Sequence, residues 1–232
     1  MRESLRRLLF FILLLRTNLM TQSAFSKTQF ELQAVNQMLE SIGQAPVTNL
    51  DQSNPDVAIA YDTLMQVSRD VQAEGWTFNR EYDYSMVRQS DGTITVPSTA
   101  LQVSLTSLNA FNRNKRAVVR TQSTGSTTRK LYDIISHSFI WSQTMQCDIV
   151  WHVEFVAIPI PVQSYIVMRA AKLFSQRTVG DGTQYSALAE QEASCRAYAL
   201  EYDTRQIDRY FFGYDNNGQF YNSYQPFKAL SR

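Results

Sequence analysis

Asn54–Asn79 reads NPDVAIAYDTLMQVSRDVQAEGWTFN, and two different periods run through it. Asn54-Pro55 opens a helix. The asparagine oxygen takes a free amide of the first turn, and the proline sits where its missing N–H costs nothing. Val57, Ala60/Tyr61, Leu64, Val67/Ser68 and Val71 then recur three and four residues apart, which makes one face apolar. Gly75 stops that pattern. Beyond it Trp76 and Phe78 alternate with Thr77 and Asn79, the spacing of a half-buried strand. A change of period at one glycine predicts a helical layer that hands over to a sheet.

Toward the N-terminus the helical half has a companion. Leu32, Val35, Leu39 and Ile42 repeat at three and four residues with Met38 beside them, and Gly43 stands at a C′ position. The spacing predicts a helix over about residues 28–42. Gln44–Ser53 joins it to the next helix, so the pair forms a helical hairpin.

Toward the C-terminus the alternating style persists. Tyr82–Val87 is extended, Ser90-Asp91-Gly92 makes a hairpin turn, and Thr93–Val96 is expected as its return strand. Leu101–Leu105 alternates again. Ala117–Gln122 and Arg129–Ile135 flank the polar tip Ser123–Thr128. Cys147–Ala157 reads as a strand with Ile149, Trp151, Val153, Phe155 and Ala157 on one face and Asp148, Val150, His152 and Glu154 on the other.

After Pro159-Ile160-Pro161 the helical period returns. Val162, Ile166, Ala170 and Leu173 share a face with Tyr165 and Phe174 up to Gly180. A longer helix from about Tyr185 to Tyr210 sets Leu188, Glu192, Cys195, Ala199 and Tyr202 on one side. The expected fold is α+β: a four-helix bundle with an inserted small antiparallel β domain and an extended C-terminal tail. Its segments are an N-terminal hydrophobic extension (1–26), a first helical hairpin (27–75), the β domain (76–158), a second helix pair (159–210) and an aromatic-rich tail (211–232). That tail spreads Phe211, Phe212, Tyr214, Phe220, Tyr221, Tyr224 and Phe227 among Gly, Asn, Gln and Ser without a period, so the rings must pack on the rest of the chain or on a neighbour.

At the other end Leu8–Leu15 is the apolar run LLFFILLL, between a basic Met1–Arg7 and Arg16. Eight residues make about 12 Å of helix, short of the ~20 residues that a bilayer crossing needs. Three readings stay open: a secretory signal, an extension ahead of a second initiator at Met20, or an anchor that docks on a partner.

The chain has 232 residues, 22 basic and 21 acidic, a balance that argues against general nucleic-acid adhesion. The charge is uneven along it. Residues 27–74 hold two basic side chains against seven acids, a net of −5 on the first helical hairpin. Arg113, Lys115 and Arg116, with Arg120 near, make the compact basic patch, an exposed loop beside Phe111.

No motif demands a catalyst. His152 and Glu154, two apart on the expected strand, are the first pair to test for acid–base work, though a surface ion pair is the commoner role. His137 in Ser136-His137-Ser138 has no nucleophile elbow near it. Gly180-Asp181-Gly182 is a helix stop with no Gly-Lys-Ser/Thr after it, so it holds no phosphate. Cys147 and Cys195 have no metal-ligand spacing and read as packed free thiols. Catalytic, cofactor and metal residues are therefore assigned as none.

The order of several segments points further. Leu32–Pro46 (LQAVNQMLESIGQAP), Asp56-Val57-Ala58 and Glu74–Asn79 (EGWTFN) resemble the opening hairpin of the tail tubular protein A family, the head–tail adaptors of short-tailed bacteriophages. Asp91-Gly92-Thr93-Ile94 leading to Val96-Pro97, and later Lys130-Leu131-Tyr132-Asp133, resemble that family's β-region signatures. Ala170–Phe174 (AAKLF) with Val179-Gly180-Asp181 resembles its third helix and stop.

The resemblance implies a virion tail protein assembled in the host cytoplasm, without enzymatic activity. It implies a ring of twelve copies between the portal protein and the tail nozzle protein (tail tubular protein B), with tail-fibre protein at the periphery and double-stranded DNA passing through. With it, Asp56, Asp62 and Asp70 are expected on a channel-side helix and the aromatic tail at an inter-subunit contact. Met1–Ser26 and the length of the Thr121–Thr128 tip lie outside the family pattern. The rival expectation from another class is a tail-associated hydrolase of envelope or polysaccharide.

Overall fold

The computed structural model describes residues 27–51, 53–106, 115–122 and 127–206. Among these residues the order is α1 (Lys27–Ser41), α2 (Pro55–Ala73), β1 (Arg80–Met86), β2 (Ala100–Leu105), β3 (Ala117–Thr121), β4 (Arg129–Asp133), β5 (Met145–Trp151), α3 (Ile160–Thr178) and α4 (Gly182–Gln206). Short 3-10 turns at Thr77–Asn79 and Phe155–Ala157 lie where the chain enters and leaves the β unit. The molecule is mixed helix and antiparallel sheet.

The caps follow from the sequence. Asn54 accepts from the Asp56 amide at 3.1 Å, and Pro55 occupies the first helical position of α2. Gly43, at φ +76°, closes α1 with its amide on the Glu40 carbonyl. Gly180, at φ +74°, sends its amide back to the Ser175 carbonyl, and Asp181 then caps the Thr183 amide to start α4.

Two apolar clusters form. The helical one gathers Val35, Met38 and Leu39 of α1, Val57, Leu64, Val67 and Val71 of α2, and Tyr165, Ile166 and Phe174 of α3. Trp76 and Phe155 join it from the two 3-10 turns, and α4 reaches it through Ala199 with Cys195 packed alongside. Most of α4 lies along α3 and stays exposed, Leu188 and Ala199 being its buried residues. The second cluster, Met86, Ile94, Val96, Ala100, Leu131, Trp141, Met145, Cys147 and Ile149, belongs to the β unit. Fully burying a side chain of this size is worth about 1.5–3 kcal/mol, so both clusters hold their layers without help from surface charges.

The β unit has a three-stranded antiparallel sheet in the order β1-β5-β2 and a β3-β4 ribbon. Tyr84 lies opposite Cys147, Val103 opposite Ile149 and Val119 opposite Leu131. Residues 94–96 extend the ribbon, since the Val96 amide donates to the Arg129 carbonyl and the Leu131 amide to the Ile94 carbonyl, each at 2.9 Å.

Three expectations need correcting. Thr93–Val96 is not the return strand of Tyr82–Val87. The turn at Asp91-Gly92 forms, held by the Thr93 amide and hydroxyl on the Asp91 carboxylate at 2.8 Å, but β1 takes β5 as its partner and the returning segment takes β4. Past Trp76 the chain is not a strand but the 3-10 turn Thr77–Asn79, because the Trp76 and Phe78 rings both pack on the helical core, where Trp76 Nε1 donates to the Val71 carbonyl at 2.8 Å. The long last strand ends at Trp151 rather than Ala157. Past it the His152 amide still reaches the Thr99 carbonyl at 2.7 Å, but Val153 is taken by a side chain of α2.

That side chain is Gln72, fully buried on the core face of α2. Its oxygen accepts the Val153 amide at 2.7 Å, and its nitrogen donates to the Val153 carbonyl at 3.1 Å and to Ser68 Oγ at 3.0 Å. One glutamine thus replaces a strand for Val153. Asn79 repeats the device, its Nδ2 donating to the Gln72 and Trp151 carbonyls, each at 2.9 Å. The same logic closes the α1–α2 loop, where Asn36 exchanges two hydrogen bonds with Val47. Buried backbone polar groups must be paired, and these amides pair them at the joint between the layers.

Candidate interaction surfaces

The structure sorts the seven acids of the helical hairpin by use. Glu31 is buried and accepts from the Tyr61 hydroxyl at 3.4 Å. Glu74, at the end of α2, sits between Arg169 of α3 at 3.2 Å and Arg196 of α4 at 3.5 Å, so it ties three helices together. Both guanidiniums also lie within 6.0 Å of the Tyr165 ring centre. Asp56 is half-buried and accepts from Gln44 Nε2 at 2.6 Å. The acids left exposed are Glu40, Asp51, Asp62 and Asp70.

The expected trio Asp56, Asp62 and Asp70 is therefore not one uniform row. Asp62 and Asp70 lie on the exposed stripe of α2 with Ile59, Gln66 and Arg69. Asp56 belongs to the loop contact at the start of the helix.

The expected basic loop also divides. Arg113 lies outside the described residues. Lys115 is half-buried with its ammonium 5.3 Å from the Trp141 ring centre, so it is no free surface cation. Arg116 is exposed. Its neighbour along the strand is Arg120, whose guanidinium lies 4.5 Å from the centre of the Tyr132 ring, and Tyr132 meets Phe139 edge-on at 4.8 Å. Ala117 and Val119 point into the β core. By strand alternation Arg116, Val118 and Arg120 share the other face, with Lys130 and Tyr132 of β4 opposite.

The loop after β4 is built on one carboxylate. Asp133 is buried, and burial alone raises a carboxyl's pKa. Hydrogen bonds from the Ser136 hydroxyl and the Ile135 and Arg116 amides, with the Lys115 charge near, prevail and hold it below the ordinary range. Across the sheet, the two β-region signatures of the sequence prove to be paired neighbours. Lys130 bridges to Asp91 at 3.4 Å, and Arg129 Nη2 donates to the Pro97, Ser98 and Ala100 carbonyls at 2.6–2.9 Å.

The catalytic alternative loses its geometry. His152 and Glu154 lie beyond the end of β5, so they do not share a strand face. His137 is exposed at φ +51° in the loop after β4. Among the described residues no group of three or more His, Cys, Asp and Glu side chains is placed to hold a metal ion, and no helix is long and apolar enough to cross a membrane. Cys147 is a free thiol that burial, with Asp148 near, pushes up to about 12. Cys195 is free and half-buried beside α3. The aromatic tail (Phe211, Phe212, Tyr214, Phe220, Tyr221, Tyr224, Phe227) and the N-terminal extension lie outside the described residues.

Sequence reasoning missed Gln72, Asn79 and the Arg120–Tyr132–Phe139 ladder. Gln72 had a signal: with Ser68 it forms a polar i,i+4 pair inside an apolar stripe, which on a buried face demands a partner. The ladder had none, because Phe139 follows an irregular loop.

Residues 32–209 match the family model described as "Tail tubular protein". The chain is also 22% identical over 170 residues to tail tubular protein A of Klebsiella phage KP34, covering 73% of this chain and 84% of that protein. The matched span runs from α1 to the end of α4, so it takes in both apolar clusters.

Proposed function

Since the chain belongs to the tail tubular protein family, and is thus a structural protein of a phage virion tail that associates with other virion proteins, we propose that it is the head-to-tail adaptor of a short-tailed phage. In this reading copies close into a ring, twelve by family resemblance, between the portal protein and the nozzle protein. DNA passes through the lumen during packaging and ejection, and tail-fibre protein docks at the periphery. The observation that carries the reading is a family match that spans the helical and β layers together.

The work is mechanical and electrostatic. A closed ring uses every weak subunit contact once per copy, and it needs two different complementary faces on each subunit. Helices joined through buried amides at Gln72 and Asn79 to a β unit make a stiff wedge that presents separate helical and β faces. The four helices act as the ring's bundle layer in this proposal. Acidic side chains toward the lumen, for which Glu40 and Asp51 of the α1–α2 hairpin stay exposed, keep a passing duplex from adhering, because phosphates release no counterions onto a surface of their own sign.

Disruption of the gene in its phage tests this. The expected particles are heads that package DNA, lack a nozzle and fibres, and lose their DNA. Complete tailed particles in the absence of the protein would overturn the proposal.

A further inference from the structure

We infer that the outer face of the β3–β4 ribbon is the seat for the α2 helix of a second copy of this chain, with Arg116 and Arg120 meeting Asp62 and Asp70. The inference rests on the ring reading above and names its subunit contact.

Both faces carry unspent charge. Among the described residues no ion pair involves Arg116, Arg120, Asp62 or Asp70, whereas Lys130, Lys172, Arg169, Arg196 and Arg205 all have carboxylate partners. Arg69 lies beside Asp70 on the acidic stripe, but its Nε is turned back onto the Met65 carbonyl at 3.3 Å. On the ribbon, Tyr132 holds the Arg120 guanidinium in place at 4.5 Å, so the fork loses little freedom on binding a carboxylate.

The spacings also agree. Eight residues of helix separate Asp62 from Asp70, about 12 Å along the axis. Four residues of strand separate Arg116 from Arg120, about 13 Å. Two carboxylates and two guanidiniums thus meet in register, with Ile59 near one end of the acidic stripe and Val118 between the arginines. An acidic helix face on one subunit set against a basic strand face on the next joins two different surfaces, a heterologous contact, the kind that closes rings.

A nucleic acid fits this face less well. Two free guanidiniums neutralise about two phosphates, too few to hold a duplex at physiological salt. The Tyr132 ring is covered by Arg120, so it offers no open surface for a base. The inference assigns Asp62 and Asp70 to the subunit boundary rather than to the channel wall.

The test uses two full-length variants, Asp62→Lys/Asp70→Lys and Arg116→Glu/Arg120→Glu, each incubated with portal rings of the same phage and scored by native mass. Each alone sets like charges at every contact, and the expected loss of assembled rings is about tenfold or more at low salt. Mixed one to one they alternate around an even-numbered ring, every contact regains opposite charges, and assembly is expected to return to within about twofold of the unmodified protein.

Full assembly of either variant alone, or no recovery on mixing, overturns the inference while leaving the adaptor reading intact. Failure of the unmodified protein to assemble on the portal overturns both. A loss of duplex DNA retention by Arg116→Glu/Arg120→Glu with normal assembly assigns the face to nucleic acid instead, and also overturns it.

Discussion

Replacing Gln72 with Leu conserves the volume of the side chain and removes its hydrogen bonds, so it isolates what the amide does. The Val153 amide loses an acceptor at 2.7 Å, the Val153 carbonyl a donor at 3.1 Å, and Ser68 Oγ its donor at 3.0 Å. Leaving a buried polar group unpaired costs about 1–3 kcal/mol. Val153 is half-buried and regains part of that from water, which brings the expected total to about 2–4 kcal/mol. In a chain of this length that lowers the melting temperature by roughly 5–15 °C.

The assay is thermal and urea unfolding followed at two places. Trp76 reports the helical core, while Trp141 and Trp151 report the β unit. The unmodified protein is expected to lose both signals together, and Gln72→Leu to separate them, because the amide bridges the layers. A loss smaller than about 0.5 kcal/mol, with the two signals still coincident, would refute the claim that this glutamine couples the helical layer to the sheet.

Other expectations follow from the same geometry. Asp133→Asn should lower stability at neutral pH by about 1–3 kcal/mol. The native carboxyl is held below its ordinary value, so its contribution is complete above the unfolded pKa of about 3.9 and disappears as pH falls through the native one. Melting curves of the two proteins should therefore converge in acid, and a constant gap across pH would count against the charge. Cys147, with its thiol pushed up to about 12, should resist a thiol reagent at pH 8 in the native protein while Cys195 reacts slowly, both reacting fully in denaturant; rapid native labelling of Cys147 would contradict its burial. Gly75→Ala should cost about 1–2 kcal/mol by chemical denaturation. The residue sits at φ +79°, and a Cβ would lie 3.1 Å from Arg80 Nη2 and 3.2 Å from Val150 Cγ2. A neutral result there would show that the turn relaxes freely.

How far the chain can be read from its residues differs by element. The helices were legible because each keeps a three-four stripe and ends on a physical stop: Gly43 and Gly180 at positive φ, and Asn54-Pro55 at the start of α2. Even the weakly apolar α4 followed its stripe, with Leu188 and Ala199 buried and Glu192 paired to Lys172. Strand existence was legible from alternation, but strand partners were not. Thr93–Val96 had two edges to choose from, and the Lys130–Asp91 pair with the Arg129 contacts to the Pro97, Ser98 and Ala100 carbonyls settles it on β4 through residues 29–39 positions away.

The end of β5 was misread because alternation continues to Ala157 while Gln72 removes the ladder partner at Val153. A pattern local to one strand cannot register a side chain 81 residues away. Of the interaction residues, Arg116 was legible as exposed charge. Lys115 was not, since only the tertiary position of Trp141 draws its ammonium inward.

The adaptor reading is tested most directly by the native mass of portal rings mixed with the purified full-length protein. The account predicts a gain of one 26.7 kDa chain for each portal subunit, close to twelve copies per ring. Intact portal rings that gain no mass from correctly folded protein would contradict it.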